Sequence, residues 1–285
     1  TRGWYDDAYT EWLEAKYGTI AALNDAWAGW KPALQGAPYA SFADIMTPML
    51  IEEAARQEAS FAPWLDHKRF MSDAFAATHD AFRSTIHTVD PQAKVGYDGF
   101  LGFNWQSGYD FERLARNLDM NQVYTVNWIQ GELMRAFKRP DALTGKWGNS
   151  DADVEAGWHA FPWSCLLDDD NSVWWWTSFG CDYIPFNPDL SQSLMGKWFF
   201  EALRETASGP GKLLLHADRE LSPVAVLHSQ TDFYLTDIAY AAGSRSPFAA
   251  GGQYLNEETG MMHGLRDAGL QYRSLTPGLM TRENL

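Results

Sequence analysis

Three groups of side chains in this 285-residue sequence are of types that do chemistry. Asp151, Asp153 and Glu155 place carboxylates at alternate positions just after Trp147-Gly148-Asn149-Ser150. Carboxylates act as nucleophiles and general bases, or as general acids when protonated. Asp151 has a second reading as the N-cap of a following helix, where its oxygen would accept a free backbone N–H. Asp66-His67 has the look of an acid–base dyad, but it sits in a helical pattern and reads as a structural hydrogen-bonded pair. Asp168-Asp169-Asp170 resembles a metal cluster, yet it reads as a solvated turn ahead of a strand. Around these groups stand many flat rings, with aromatics at 15% and 14 Trp. Such faces stack on CH-rich ligands such as sugar rings, or pack a large core.

Other chemistries find little footing. The sequence has no GxSxG elbow, GxxxxGK[ST] loop, HExxH or GxGxxG. Its seven histidines (67, 79, 87, 159, 216, 228 and 263) lack ligand spacing, and no metal or cofactor is expected. Cys165 and Cys181 cannot make a disulfide framework or a four-cysteine zinc site. A formal net charge of −15 repels phosphate backbones and anionic lipid, so neither nucleic acid nor a membrane is an expected partner. There is no run of about 18 apolar residues, the length that spans a bilayer. No signal-peptide pattern follows Thr1, which favours a cytoplasmic over a secreted location.

The elements that must position these groups fall into an order. Residues 4–30, WYDDAYTEWLEAKYGTIAALNDAWAGW, read as two amphipathic helices parted by Gly18, with Thr19 capping the second. A loop-like stretch over 28–46 leads to Thr47-Pro48, which opens a helix, and a longer helix spans about 63–88. Strand and helix then alternate: strands at 94–97, 120–125, 143–147 and 172–176, with helices at 109–117, 130–137, 154–167 and 191–207. Four such units predict a parallel sheet covered on both faces. Their length, about 25 residues, suits a (β/α)8 barrel. Beyond Gly209-Pro210-Gly211 the pattern predicts strands at 213–216 and 223–228, a loop, a helix near 257–268 and a strand at 271–275.

Several of these segments together resemble the family 42 glycoside hydrolases, β-galactosidase-like proteins with a trimerisation domain. The residues that carry the likeness are Trp12-Leu13, Lys16-Tyr17-Gly18, Ile20, Leu23-Asn24 and Trp27, then Ser41-Phe42, Ile45 and Thr47-Pro48. Trp64, Asp66-His67, Arg69-Phe70-Met71, Asp90-Pro91 and Val95-Gly96 follow in the same order, and PVAVLHS looks like the opening strand of the second domain. The resemblance implies an α/β fold: the second half of a (β/α)8 TIM barrel over 1–208, a linker at 209–222, and the beginning of a flavodoxin-like domain over 223–285. It implies a retaining hydrolase of β-linked glycosides, β-galactosides foremost, and a homotrimer. It also places the acid/base glutamate ahead of the 4–30 block, outside this chain.

On that reading the four strands are the fifth to eighth of a barrel, and their C-terminal ends form the active face. Retention needs two carboxylates about 5 to 5.5 Å apart. The family has its nucleophilic glutamate at the end of the seventh strand. This sequence departs from it there, and offers Asp151 first, Glu155 second and Asp153 third. Sugar-binding candidates are Asp98, Tyr124, Asn127, Trp147, Trp175, Trp176 and Asp182. Asp98 also suits a turn with Gly99. Alternation along a strand keeps Trp174, Trp175 and Trp176 from all facing one side, and Trp174 is assigned to packing. The competing reading is a catalytically degenerate carbohydrate-binding or assembly module on the same fold.

Overall fold

The computed structural model describes residues 3–29, 36–45, 60–100, 109–123, 128–148, 155–175, 185–241 and 253–281. In chain order the helices and strands are α1 (Trp4–Tyr17), α2 (Ile20–Ala26), α3 (Ala62–Val89), β1 (Gly96–Phe100), α4 (Phe111–Asn117), β2 (Met120–Val123), α5 (Trp128–Phe137) and β3 (Leu143–Gly148). They continue as α6 (Glu155–Leu167), β4 (Ser172–Trp175), α7 (Leu194–Thr206), α8 (Gly209–Leu215), β5 (Ala225–Leu227), α9 (Gln230–Ala241), α10 (Gln253–Asp267) and β6 (Arg273–Leu275). The helix expected at Thr47-Pro48 lies outside the described residues.

The chain divides into two compact units. The first takes in residues 1–77, 104–109 and 229–258, the second residues 78–103, 110–228 and 259–285.

In the first unit α1 and α2 form around a small aromatic core. Tyr9 and Leu13, one helical turn apart, are buried with Leu23, Trp27, Ile45 and Phe70. Gly18 ends α1 at φ +71°, a backbone conformation that glycine takes without the steric cost other residues meet. Thr19 then caps α2, its side chain accepting the Ala22 N–H at 3.2 Å, as its residue type predicts.

The second unit holds a four-stranded sheet in the order β1-β2-β3-β4, every pair parallel. The alternating pattern of the sequence predicts this mixed α/β architecture; β2, β3 and β4 begin at the expected residues, β1 begins two residues later, and the strand ends differ by one to three residues. Gly145 lets β3 and β4 approach closely, since a Cβ there would meet Ser172 Oγ at 2.3 Å. Helices cover the sheet with Phe111, Leu114, Leu133, Met134, Trp158 and Phe199, all buried. A second, two-stranded parallel sheet pairs β5 with β6.

Two expectations from the sequence are corrected here. Residues 213–215 are helical and His216 caps them, in place of a strand: α8 runs over Gly209–Leu215 with Pro210 in its first turn. Proline fits that position because its missing N–H is unneeded there, and unbranched leucines are good helix formers. The loop expected after residue 228 is helix α9. Its start is marked by Ser229, whose Oγ accepts the Asp232 N–H at 3.2 Å.

Candidate active site

Because β1 to β4 are parallel and adjacent in sequence order, their C-terminal ends share one edge of the sheet. Asp98 lies within β1 and Trp147 within β3, where Trp147 registers with Trp174 and Gly148 with Trp175. Tyr124 and Asn127 follow β2 in sequence; Asp151 and Asp153 follow β3; Trp176 and Asp182 follow β4. These six lie outside the described residues.

Glu155 and Trp175 are described in full. Glu155 opens α6 and is exposed, with its carboxylate 3.9 Å from His159 on the next turn. His159 also faces Glu205 of α7 at 3.8 Å. A carboxylate in the first turn complements the helix dipole, and both neighbours of Glu155 belong to the helical layer. Trp175 is committed to the same layer. Its ring centroid is 4.1 Å from Trp158, 5.0 Å from Phe199 and 5.8 Å from Phe161. Trp174 takes the opposite face of the strand, where its Nε1 donates to Ser172 Oγ at 3.3 Å.

Asp66 and His67 each bond to partners of their own. Asp66, 2% exposed, accepts hydrogen bonds from Lys16 Nζ, from the Tyr17 hydroxyl and from Trp27 Nε1, the last at 2.9 Å. Arg69 adds a guanidinium nitrogen at 3.6 Å. His67 Nε2 sits 2.6 Å from the Tyr5 hydroxyl. Burial, helped by the neighbouring Lys68 charge, lowers its pKa to about 4, so the ring is neutral. The conspicuous residues of the 4–30 block therefore converge on one carboxylate of α3 and serve to lock helices together.

Asp168-Asp169-Asp170 corrects the expectation of a solvated turn. Only Asp169 is exposed, and it holds the turn with a φ of +67°. Asp170 is 4% exposed and accepts from Arg135 of α5 at 2.8 Å, with Lys146 of β3 3.6 Å away. Asp168 pairs with Lys146 and, at 2.9 Å, with Arg266. Burial would raise the Asp168 carboxyl, but the hydrogen bond and charge of Lys146, with Arg266 and Arg135, hold it below the usual range. Burial pushes Asp170 up against the pull of Arg135 and Lys146. The network runs on through Glu132, 3.1 Å from Arg135 and gripped by Arg219 at 2.8 and 3.1 Å. Lys146 in a buried strand and Glu132 and Arg135 inside an otherwise apolar helix were the available signals. Among the described residues no cluster of His, Cys, Asp and Glu fits a metal ion.

A second clamp stands at the same, N-terminal end of the strands. Asp119, just ahead of β2, accepts Arg83 Nε at 2.8 Å and its NH2 at 2.9 Å, with His87 at 3.2 Å. Burial opposes ionisation of Asp119, but these groups and the Val95 N–H outweigh it and lower its pKa.

Known proteins share these features. Residues 5–142 match the family 42 glycoside hydrolase model, described as β-galactosidase, so this part of the chain is similar to that family. The β-galactosidase of Thermus thermophilus is 34% identical over 113 residues, covering 40% of this chain and 16% of that protein. The β-galactosidase BgaA of Planococcus sp. (strain 'SOS Orange') is 25% identical over 141 residues, covering 46% and 20%. The chain thus spans a small part of the relatives it matches. The crystal structure of the β-galactosidase from the psychrophilic Marinomonas ef1 superposes with a TM-score of 0.63 at 16% identity. It covers 95% of this chain, which covers 46% of that one, and this likeness speaks for the fold.

Proposed function

We propose that this chain forms the fifth to eighth βα units of a retaining β-glycosidase barrel acting on β-galactosides. The observation that carries the reading is the run of four adjacent parallel strands in sequence order, joined to the β-galactosidase family match over residues 5–142. In a barrel of this kind catalysis falls at the C-terminal ends of the strands. Asp151 follows β3 there and is the proposed nucleophile, attacking the anomeric carbon to give a glycosyl-enzyme ester. The acid/base that protonates the leaving oxygen, then deprotonates the incoming water, is a carboxylate supplied from sequence ahead of residue 4. Asp98 and Trp147, with Tyr124, Asn127, Trp176 and Asp182 next along the chain, hold the sugar in this reading. The placement of Glu155 beside His159 in the helical layer supports Asp151 over it. The segment from residue 223 opens a flavodoxin-like domain, and the assembly is a trimer.

Hydrolysis of a chromogenic β-galactoside by the full-length protein tests the assignment. Asp151→Asn should lower kcat by on the order of a thousandfold or more, whereas Glu155→Gln should leave it within a few-fold. Full activity in the Asp151→Asn protein would sink it. A second reading, a degenerate carbohydrate-binding module, is favoured by one observation: Asn149-Ser150-Asp151 follows β3 where the family carries glutamate. A wild-type protein that binds galactosides without hydrolysing them would select it.

A further inference from the structure

The second half of α3 belongs to the second unit and carries two different surfaces side by side. One is a polar row. The His79 ring lies 4.9 Å from that of Tyr97 on β1, and Arg83 and His87 reach Asp119, just ahead of β2, at 2.8 and 3.2 Å. The other is apolar and faces water: Phe82 is 61% exposed, Ile86 43% and Val89 87%. Thr85, beside it, turns its hydroxyl back to the Ala81 carbonyl.

The helical repeat fixes how these surfaces lie over the sheet. At about 3.6 residues per turn, counted round the helix from His79, Arg83 stands about 40° and His87 about 80° to one side. Ile86 stands about 20°, Phe82 about 60° and Val89 about 80° to the other. The first side leans towards β2, and His79 stands over β1. The second side therefore leans past β1, away from β2. There the sheet has an open edge: among the described residues β1 pairs with β2 alone. An edge strand leaves a row of N–H and C=O groups unpaired. Single exposed apolar side chains are ordinary. Three in one stripe, overhanging an unpaired strand edge, form the cover that one further strand needs.

The order of the sheet says which segment fits. Each of β2, β3 and β4 is added on the same side of the strand before it. Parallel crossovers keep one hand, so the strand that leads into α3 falls on the opposite side of β1, at this edge. Among the described residues ahead of α3 the elements are helices. A second copy is disfavoured as the occupant, because two chains of net charge −15 repel.

We propose that a parallel strand from sequence ahead of residue 4 pairs with β1 and packs beneath Phe82, Ile86 and Val89. This rests on the barrel reading above, and it makes the stripe the seam that holds the segment bearing the acid/base.

Thermal unfolding of Phe82→Lys/Ile86→Lys, in the 285-residue chain and in the full-length protein, tests this. The substitutions should leave Tm within about 1 °C in the 285-residue chain, where the stripe meets water, and lower it by about 5 °C or more in the full-length protein. Val89→Lys should repeat the contrast more weakly, and Thr88→Lys, on the far side of the helix, should change neither Tm. Equal shifts at the two lengths would overturn the proposal. So would a 285-residue chain that is dimeric by light scattering and is split by the same substitutions, since the seam would then belong to a second copy. Galactoside hydrolysis by the unaltered full-length protein separates the two readings. If hydrolysis is absent and the length-dependent shift stands, the seam holds and the activity fails; if hydrolysis is present and the shift is missing, the seam alone fails.

Discussion

Asp66 and Asp170 are both buried carboxylates, but the two units neutralise them by different means. Asp66 is met mainly by neutral donors, a phenol and an indole, with one lysine and a more distant arginine. Its partners Lys16, Tyr17 and Trp27 lie within a dozen residues of each other, at the C-terminal ends of α1 and α2. Asp170 is instead one link in a chain of alternating charges that joins α5, β3, the turn after α6 and Arg219. In the hub, removing the acceptor leaves donors that mostly reach solvent. In the network, removing one charge strands others with no water to turn to. Burial of charge is therefore tolerated locally in the first unit and collectively in the second.

The contrast predicts a graded response. Arg135→Met should give the largest loss, about 3 to 5 kcal/mol, because it leaves Asp170 and Glu132 buried without their shared cation. Urea unfolding followed by tryptophan fluorescence measures it, and a loss under about 1 kcal/mol would show that the network is not cooperative. Asp66→Asn keeps the shape and one acceptor, so a smaller loss of about 2 kcal/mol is expected by the same measurement. If it matches Arg135→Met, the distinction between the two regions fails.

Acid separates the regions further. His67 has a folded-state pKa of about 4, below its ordinary 6.5, so burial favours the neutral ring. Its stabilising contribution is complete above pH 6.5 and is lost as pH falls from there through about 4. The loss should reach about 2 kcal/mol, allowing for partial solvent access to the ring. Asp168 and Asp119 are lowered below the ordinary carboxylate range, so their contribution goes only at still lower pH. Stability measured from pH 7 to 4.5 should therefore decline in the wild type and flatten in His67→Gln. An undiminished slope in that variant would place the titrating group elsewhere. The smallest effect expected is that of Thr19→Ala, about 1 kcal/mol from the lost cap of α2. A loss near that of Asp66→Asn would mean that α2 is held by its cap as much as by Trp27.

Local features of this fold were legible in the sequence, and distant pairings were not. Gly18, Thr19 and the alternation of short apolar strands with helices each announce themselves within a few residues, because caps, turns and periodicity are short-range effects. The helix at 209–215 was obscured by two glycines and a run of leucines that suits either state. Asp168-Asp169-Asp170 looked solvated because three adjacent acids normally are; nothing nearby in sequence names Arg135, Lys146 and Arg266 as their partners. At the candidate site the sequence marks the edge, through the strands that end there. It does not tell Trp175 from Trp174, since which one meets the helices depends on the sheet's pleat.

Cys165 closes the account from another side. It is buried, and burial pushes its thiol up to about 12, so almost no thiolate exists at neutral pH. A thiol held that way makes α6 a built-in clock. With Cys181 replaced by serine, alkylation of the remaining sulfur would proceed only as often as the helical layer around it opens. The rate would report how frequently that layer breathes in the native protein, under conditions where no bulk unfolding can be seen.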